Sequence, residues 1–392
     1  MPPISAIQAA LRADRLDGWL FYDFHHRDPI AARVLGLRGG MGTRRWFYLI
    51  PARGAPRKLV HRIEAGALDS LPGRKFVYAS LRELKTNLRG ILAGCRKVAM
   101  QYSPRNAIPY VSMVDAGTVE LVRAQGCKVA SSADLVQRFE ACWSAAQYRS
   151  HLEAGRVIHK AIQGAFARAA SAAGARKSSL TEYDLQQWIL EQFRAAGVVT
   201  DEPPIVAVNA HAGDPHYAPL ADRSARIRAG DLLLLDVWGK MNRPGSVYYD
   251  VTWVGYLGRE VPARQAGIFA IVAAARDRAI AFVREALAAG RAVQGWQVDR
   301  VAREVIRRAG YGEYFVHRTG HSIGQDVHGA GANMDGLETH DQRRLIPRTC
   351  FSIEPGIYLP AFGVRSEVNV YIDGSVARVT GPVQAEILPL LD

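Results

Sequence analysis

Four carboxylates interrupt apolar, strand-like runs of this chain, and they constrain its fold more than any other sequence feature. Asp236 follows four consecutive leucines, and Asp250 follows Val-Tyr-Tyr on the next strand-like run. Glu354 and Glu367 repeat the arrangement near the C-terminus, 13 residues apart. A carboxylate in a buried strand is costly unless another group neutralises it. The chain must therefore bring a source of positive charge to all four.

The spacing of these residues predicts two β-hairpins, each carrying two carboxylates. Residues 232–238 and 247–256 flank a turn rich in Asn, Pro and Gly, and residues 350–359 and 364–372 form a second pair of strand-like runs. Two facing hairpins would gather the carboxylates beside His321. Arginines could neutralise them, but divalent cations do so more compactly. A mostly oxygen ligand set suits Mn²⁺ or a similar first-row ion, and two such ions would indicate a hydrolase.

The patterning of the chain changes near residue 142, which predicts two domains. Before that point helix-like and strand-like stretches alternate, as in an α/β domain. After it come long helical runs, at 145–173 and 264–289 among others, together with the paired strands. We therefore predict an N-terminal α/β domain at 1–142 and a larger α+β domain with antiparallel strands at 143–392.

The charge balance suggests a nucleic-acid or acidic partner, but its distribution does not. Lys and Arg number 50 against 37 Asp and Glu, a net charge of +13. Lysines are only 8 of the 50, and the arginines are scattered, with no basic tail or aromatic-interleaved patch. Such scatter is more typical of a solvated surface, so we predict no nucleic-acid partner.

Composition also bears on the compartment. The chain has no run of 18 or more apolar residues and no secretory signal at its N-terminus, so we predict no membrane partner and a cytoplasmic protein. None of the four cysteines forms a C-x-x-C pair, and we expect all four to be reduced.

Three segments resemble the prolidase and aminopeptidase P branch of the pita-bread metallopeptidases. They are Phe315–His328 (FVHRTGHSIGQDVH), Ser352–Tyr358 (SIEPGIY) and Gly363–Glu367 (GVRSE). The resemblance is strong from about residue 145 onward. Before it, only size and element order match the family's smaller creatinase-like domain. The resemblance implies a pita-bread catalytic domain with an antiparallel sheet at 143–392, preceded by a creatinase-like α/β domain at 1–142.

The resemblance also implies a set of metal ligands, because the family's five ligand positions match in order: Asp236, Asp250, His321, Glu354 and Glu367. Asp250 and Glu367 would bridge two divalent ions. Asp236 would hold one ion, and His321 with Glu354 would hold the other. Glu354 would also be the general base for a metal-bridging hydroxide. The implied ions are Mn²⁺, with Co²⁺ or Zn²⁺ as alternatives.

Four further residues match positions around the family's site: His216, His317, His328 and Arg365. His216 and His328 would stabilise the bound substrate and the tetrahedral intermediate. His317 would contact the substrate's carboxylate or its proline side. Arg365 would fix a ligand carboxylate or the substrate's C-terminal charge. Within these segments or directly after them, the chain departs from the family's common residues at five positions: Ser322, Gln325, Gly329, Ser366 and Val368.

The resemblance therefore implies a dinuclear-metal exopeptidase that hydrolyses Xaa-Pro dipeptides, as prolidases do, and that forms a homodimer. Two alternatives on the same fold are an Xaa-Pro aminopeptidase acting on longer peptides and a metal-dependent hydrolase of a non-peptide amide. A relative that binds nucleic acid without catalysis is disfavoured by the intact ligand set.

A fourth alternative is a serine hydrolase, because residues 320–324 (Gly-His-Ser-Ile-Gly) satisfy the G-x-S-x-G motif. Asp335 and His340 follow in a plausible order for a triad. The motif requires a helix immediately after the serine, however, and the following residues are rich in glycine. We therefore predict that Ser322 is not a nucleophile.

Overall fold

The computed structural model describes residues 3–37, 39, 42–175 and 179–391. The chain forms two compact units, Met1–Cys142 and Trp143–Asp392. All four cysteines are free thiols. Among the described residues, no helix combines the length and the apolar character needed to cross a membrane.

The N-terminal unit is a six-stranded sheet with helices. Its strands, in the order β4-β3-β2-β1-β5-β6, are β1 (Gly18–Asp23), β2 (Trp46–Pro51), β3 (Arg57–His61), β4 (Arg74–Tyr78), β5 (Lys97–Met100) and β6 (Lys128–Ser131). Its helices are α1 (Ile4–Ala13), α2 (Pro29–Leu35), α3 (Leu81–Ile91), α4 (Ala116–Arg123) and α5 (Ala133–Val136). Among these strands only β2 runs against the rest, so the other five end at one edge of the sheet.

Local sequence explains where the elements of this unit lie. Every residue of β1 and β2 is buried, which is why both strands have apolar sequences apart from Asp23 at the end of β1. Ser80 and Glu83 form a capping box at the start of α3. Asp115 caps α4 by accepting from the backbone N–H of Thr118 at 2.8 Å.

The described residues of the C-terminal unit form four α-helices and three small sheets. The helices are α6 (Ala145–Gly174), α7 (Glu182–Ala196), α8 (Ala263–Ala288) and α9 (Gly295–Arg308). The strands are β7 (Val198–Val199), β8 (Ile205–Val208), β9 (Leu232–Met241), β10 (Tyr249–Tyr256), β11 (Ser322–Ile323), β12 (Cys350–Ile353), β13 (Gly356–Leu359), β14 (Phe362–Arg365), β15 (Val368–Asp373), β16 (Val376–Val379) and β17 (Leu388–Pro389). The sheets are β17-β10-β9-β7 with β8 also on β9, then β11-β12-β15-β16, and β13-β14.

The four-leucine run of β9 lies between two helical layers. Leu233 and Leu235 pack in a cluster with α6 and α7, whereas Leu232 and Leu234 pack in a second cluster with α8 and α9. Successive side chains of a strand point to opposite faces. Both faces of β9 are therefore covered, and its sequence is continuously apolar until Asp236.

The prediction of two long C-terminal strands, at 350–359 and 364–372, is wrong in one respect, because each run is broken into two strands. The first break is at Glu354-Pro355 and the second at Ser366-Glu367. Pro355 has no N–H to donate to a ladder. Ile353 pairs with Val368 and Gly356 with Arg365, so the two breaks lie opposite each other and leave Glu354 and Glu367 between two sheets.

Gly320 approaches another backbone segment too closely for a side chain. A Cβ at Gly320 would overlap the carbonyl oxygen of Ser352, whereas a Cβ at Gly267, in α8, would meet no atom within 4 Å. We expect Gly320→Ala to lower the free energy of unfolding by about 1–3 kcal/mol through overpacking. The control Gly267→Ala should raise it by up to about 1 kcal/mol. Denaturant unfolding measures both, and equal stability of the two variants would contradict this packing.

Candidate metal centre

The structure brings the five predicted ligand residues into one buried cluster. The register of β9 and β10 pairs Asp236 with Thr252 and Asp250 with Trp238, so the two aspartates are diagonal neighbours on one face. One potential ligand atom from each of Asp250, His321 and Glu367 lies within 4.8 Å of the other two. The two broken strands supply Glu354 and Glu367 to the same place.

Two buried polar side chains join the hairpins at this point. The Asn369 side chain, on β15, donates to the Asp250 carbonyl oxygen at 2.7 Å and accepts from its N–H at 3.3 Å. The Thr252 hydroxyl, on β10, donates to Glu367 Oε2 at 2.9 Å. These bonds fix Asp250 relative to Glu367, although the residues are 117 positions apart.

Three carboxylate oxygens of the cluster lack a hydrogen-bond donor among the described residues. Asp236 Oδ1, Asp250 Oδ1 and Glu367 Oε1 are buried and have no hydrogen-bond partner among the described residues. Burial raises the pKa of Asp250 to about 7 and raises the pKa of Glu367 well above its ordinary value. Buried carboxylates of this kind normally pair with a cation or bind a metal. Four carboxylates and one imidazole fit a first-row divalent ion.

His321 presents one nitrogen to the carboxylates. Its Nδ1 lies 3.1 Å from the Ser322 carbonyl oxygen, which can only accept, so Nδ1 carries the proton of this bond. Its Nε2 lies 3.5 Å from Asp250 Oδ2 and 3.3 Å from Glu354 Oε1. Burial lowers the pKa of His321, but the bond to Asp250 and the charge of Glu354 raise it by more, so the net shift is upward. Nε2 is therefore suited to hold a cation, either a proton or a metal ion.

Glu354 is held in place by a serine. The Ser352 hydroxyl donates to Glu354 Oε1 and accepts from the backbone N–H of His321, both at 2.9 Å. Burial raises the pKa of Glu354, but the charges of His321, His317 and Arg365 lower it more, so the net shift is downward. At neutral pH Glu354 is therefore a carboxylate that can accept a proton.

Arg365 connects the cluster to a surrounding network of hydrogen bonds. Its guanidinium donates to the Asp236 carboxylate, and to the hydroxyls of Thr252 and Tyr358 at 2.9 Å each. His317 Nδ1 donates to the Arg318 carbonyl oxygen at 2.7 Å. Its Nε2 therefore accepts from the Tyr358 hydroxyl at 2.6 Å.

This network of hydrogen bonds bears on the predicted roles of Arg365 and His317. The Arg365 guanidinium contacts a predicted ligand carboxylate, which was one of the two alternatives stated for it. Burial lowers the pKa of His317 to about 4, and both of its ring nitrogens are engaged. A substrate carboxylate could reach a His317 N–H only by displacing one of these partners.

The other two predicted histidines lie beside the cluster. The His328 ring packs edge-on against the His321 ring, with 4.4 Å between their centroids. The charge of His321, with smaller contributions from burial and from His216, lowers the pKa of His328, so His328 is neutral at pH 7. His216 is exposed on the segment after β8, within electrostatic range of His328.

Glu182 fastens the segment that carries His216, a role that sequence reasoning missed. This fully buried carboxylate accepts from the N–H groups of Val208 at 2.8 Å and Ala225 at 2.7 Å, from His211 at 3.0 Å, and from the Tyr217 hydroxyl at 2.7 Å. In sequence Glu182 is one of two acidic residues in the first turn of a helix, and nothing there distinguishes it from a capping residue.

The departures from the family pattern are accommodated locally. The Ser322 hydroxyl is buried and accepts from Gly331 N–H at 3.0 Å. A Cβ at Gly329 would lie 3.0 Å from that hydroxyl. The Ser366 hydroxyl accepts from the buried Arg276 of α8, and the backbone carbonyl of Gln325 accepts from Lys240. Val368, the fifth departure, is buried and pairs with Ile353.

The same contacts argue against a serine hydrolase. The hydroxyl of Ser322 is used structurally, and no helix follows it before residue 350 in the described chain. Asp335 is fully buried and accepts from the backbone N–H groups of Leu337, Glu338 and Thr339. It is therefore a turn residue rather than a partner for a histidine.

Comparisons with known proteins match most of the C-terminal unit. A model of metallopeptidase family M24 matches residues 149–374. The chain is 34% identical over 213 residues to a probable dipeptidase PepE of Mycobacterium tuberculosis, which covers 54% of this chain and 52% of that protein. It is 33% identical over 216 residues to an Xaa-Pro dipeptidase of Lactobacillus helveticus, covering 53% and 54%. The chain thus spans about half the length of the curated relatives it matches.

Solved structures extend the likeness to the whole chain. A dipeptidase PepE from Mycobacterium ulcerans superposes with a TM-score of 0.75 at 25% identity, covering 99% of this chain and 97% of the other. A prolidase from Thermococcus sibiricus gives 0.67 at 21% identity and 98% coverage of both. These matches confirm the predicted fold class, an α+β pita-bread unit with antiparallel sheets preceded by a smaller α/β unit.

Metal affinity should depend on pH through Asp250. Its pKa of about 7 means that a proton occupies this carboxylate below neutrality and competes with a metal ion. We expect Mn²⁺ to bind about tenfold or more weakly at about pH 6 than at about pH 8, with proton release on binding. Calorimetry in two buffers of different ionisation enthalpy measures both quantities. Equal affinity at the two pH values, without proton release, would contradict this account.

Replacing Glu182 should loosen the segment between β8 and β9. In Glu182→Gln an amide group would face four donors, leaving several of them unpaired at a cost of about 1–3 kcal/mol each. We expect faster amide exchange at Val208 and Ala225, measured by hydrogen-exchange mass spectrometry, with little change in α8. Glu191→Gln, an exposed change on the same helix, is the matched control. Unchanged exchange in Glu182→Gln would show that the carboxylate does not hold the segment.

Proposed function

Because this chain belongs to metallopeptidase family M24, we propose that it is a dinuclear-metal exopeptidase that hydrolyses Xaa-Pro bonds, with Xaa-Pro dipeptides as its preferred substrates. One observation supports the proposal most directly. In a cluster of four carboxylates and one imidazole, three buried carboxylate oxygens have no hydrogen-bond donor among the described residues. Relatives named Xaa-Pro dipeptidase, from Lactobacillus helveticus and Pyrococcus furiosus, support the substrate class.

In this proposal the ligand roles follow the chemistry of each side chain. Asp250 and Glu367 would be ligands shared by two divalent ions, most readily Mn²⁺. Asp236 would hold one ion, and His321 with Glu354 would hold the other. The orphaned oxygens of Asp236, Asp250 and Glu367 support these assignments, since each would gain a cation in place of a missing donor. His321 Nε2 would exchange its shared proton for a metal ion.

The protein's own groups would then divide the catalytic work. Bound divalent ions supply Lewis-acid polarisation of the scissile carbonyl and of water. Glu354 Oε accepts the proton of the attacking water; its lowered pKa keeps it ionised at neutral pH, and the bond from Ser352 holds it in place. His328, which is neutral at pH 7, and His216 donate N–H groups to the carbonyl oxygen as negative charge develops. Arg365 orients Asp236 and balances its charge.

We propose that the protein is a cytoplasmic homodimer whose partners are proline-containing dipeptides or short peptides. An Xaa-Pro aminopeptidase on longer peptides is the second candidate. It is favoured by a relative named putative Xaa-Pro aminopeptidase, from Mycoplasma pneumoniae, which is 29% identical to this chain over 213 residues.

Removing the proposed base should abolish turnover without unfolding the protein. Glu354→Gln keeps the shape and the bond from Ser352 but cannot accept a proton at neutral pH. We expect the hydrolysis of Ala-Pro by Mn²⁺-supplemented protein to fall by about 10²–10⁴-fold. Circular dichroism checks the fold, and the exposed Glu313→Gln serves as a control that keeps its activity. Turnover within a few-fold of the unmodified protein would remove Glu354 from the mechanism.

Substrate length separates the two peptidase candidates. A dipeptidase should hydrolyse Ala-Pro with a higher kcat/KM than Ala-Pro-Ala, because the free carboxylate of proline would be recognised directly. Ala-Ala tests the requirement for proline and should be cleaved poorly. Faster cleavage of the tripeptide would favour the aminopeptidase. Cleavage of neither peptide would leave the non-peptide amide hydrolase as the better reading.

A further inference from the structure

The N-terminal unit contains a cleft of about 810 Å³ that the peptidase chemistry does not use. It lies at the edge of the sheet where the parallel strands end. Tyr22 near the end of β1, His61 at the end of β3 and Tyr78 at the end of β4 all line it. In open α/β sheets, ligands bind in the crevice outside the carboxyl ends of the strands. The volume is within the range of sites for small molecules.

Three arginines line this cleft: Arg27, Arg44 and Arg45. None of their guanidinium groups forms an ion pair with a carboxylate of the described chain. Arg44 donates to the carbonyl and hydroxyl oxygens of Thr43 at 3.0 and 3.2 Å. Arg27 lies over the Phe24 ring, 5.6 Å from its centroid. Among the side chains that line the cleft, three are guanidinium groups and one, that of Asp115, is a carboxylate, so the cleft carries an excess of positive charge. The Glu64 carboxylate lies nearby and accepts from the backbone N–H of Arg44 at 3.2 Å.

The other polar groups of the cleft are mostly donors or are already engaged. His61 Nδ1 accepts from the N–H of Ile63 at 3.1 Å, so the neutral ring carries its proton on Nε2. Asp115 is the one acidic residue among the lining residues, and its two oxygens accept from the N–H and hydroxyl of Thr118 at 2.8 Å each. The N-terminal residues of α3 and α4 also line the cleft and add positive potential.

We propose that this cleft binds a small phosphate-bearing ligand of the size of a nucleoside diphosphate. Guanidinium groups bind phosphate oxygens in pairs, and helix N-termini favour the same group. A diphosphate carries two to three negative charges, which match the three arginines. The rings of Tyr22, Phe24 and Tyr78 supply apolar surface for a base.

Calorimetric titration of the full-length chain tests this proposal. Metal ions are removed first, so that the carboxylate cluster offers no cation to phosphate. We expect ADP and pyrophosphate to bind with one site per chain, and adenosine and citrate to bind at least about tenfold more weakly. Arg27→Gln, which changes an exposed side chain, and Arg45→Ala should each weaken ADP binding by about tenfold.

A matched control separates specific binding from general attraction. Arg53 is an exposed arginine of the same unit, just after β2, at the opposite edge of the sheet. Arg53→Ala removes the same charge and should leave the affinity for ADP within about twofold. No heat with ADP or pyrophosphate at millimolar concentration would overturn the proposal. So would equal affinity for citrate, tighter binding of a single-stranded oligonucleotide, or equal weakening in Arg53→Ala.

Discussion

The C-terminal unit depends on the neutralisation of four buried carboxylates that lie within one cluster. Two unit charges about 4 Å apart repel by about 4 kcal/mol at an effective dielectric constant of 20. Several such pairs together approach the whole free energy of unfolding of a domain, about 5–15 kcal/mol. Burial first, and then the charges of the neighbouring carboxylates, raise the pKa values of Asp250 and Glu367. Arg365 neutralises about one of the four charges, and two divalent ions would more than offset the remaining three.

Much of the surrounding structure positions the cluster rather than neutralising it. Neutral groups hold the carboxylates: Asn369 on the backbone of Asp250, Thr252 on Glu367 and Ser352 on Glu354. These bonds leave Asp250 Oδ1 and Glu367 Oε1 without a donor among the described residues. Such an arrangement is poor for a closed ion-pair network and well suited to ligands that exchange a proton for a metal ion.

The hairpins and the clustering of the five proposed ligand residues could be predicted from sequence because they leave local signals, namely apolar runs, turn residues and carboxylates out of pattern. The breaks at Glu354 and Glu367 could not, since a broken strand and a continuous strand have similar apolar runs. Thr252 and Asn369 left a weak signal as polar residues in apolar strands. Glu182 left none, because its four partners come from distant segments. The arginines were predicted to form a solvated surface, yet three of them share one cleft.

The most direct test of the account is metal content measured together with activity. Protein stripped with a chelator and titrated with Mn²⁺ should bind about two ions per chain and regain hydrolysis of Ala-Pro as they bind. The double variant Asp250→Asn with Glu367→Gln, which lacks both proposed bridging carboxylates, should bind neither ion tightly and remain inactive. Full activity in the stripped protein, or two tightly bound ions in the double variant, would contradict the assignment of this cluster as a dinuclear metal centre.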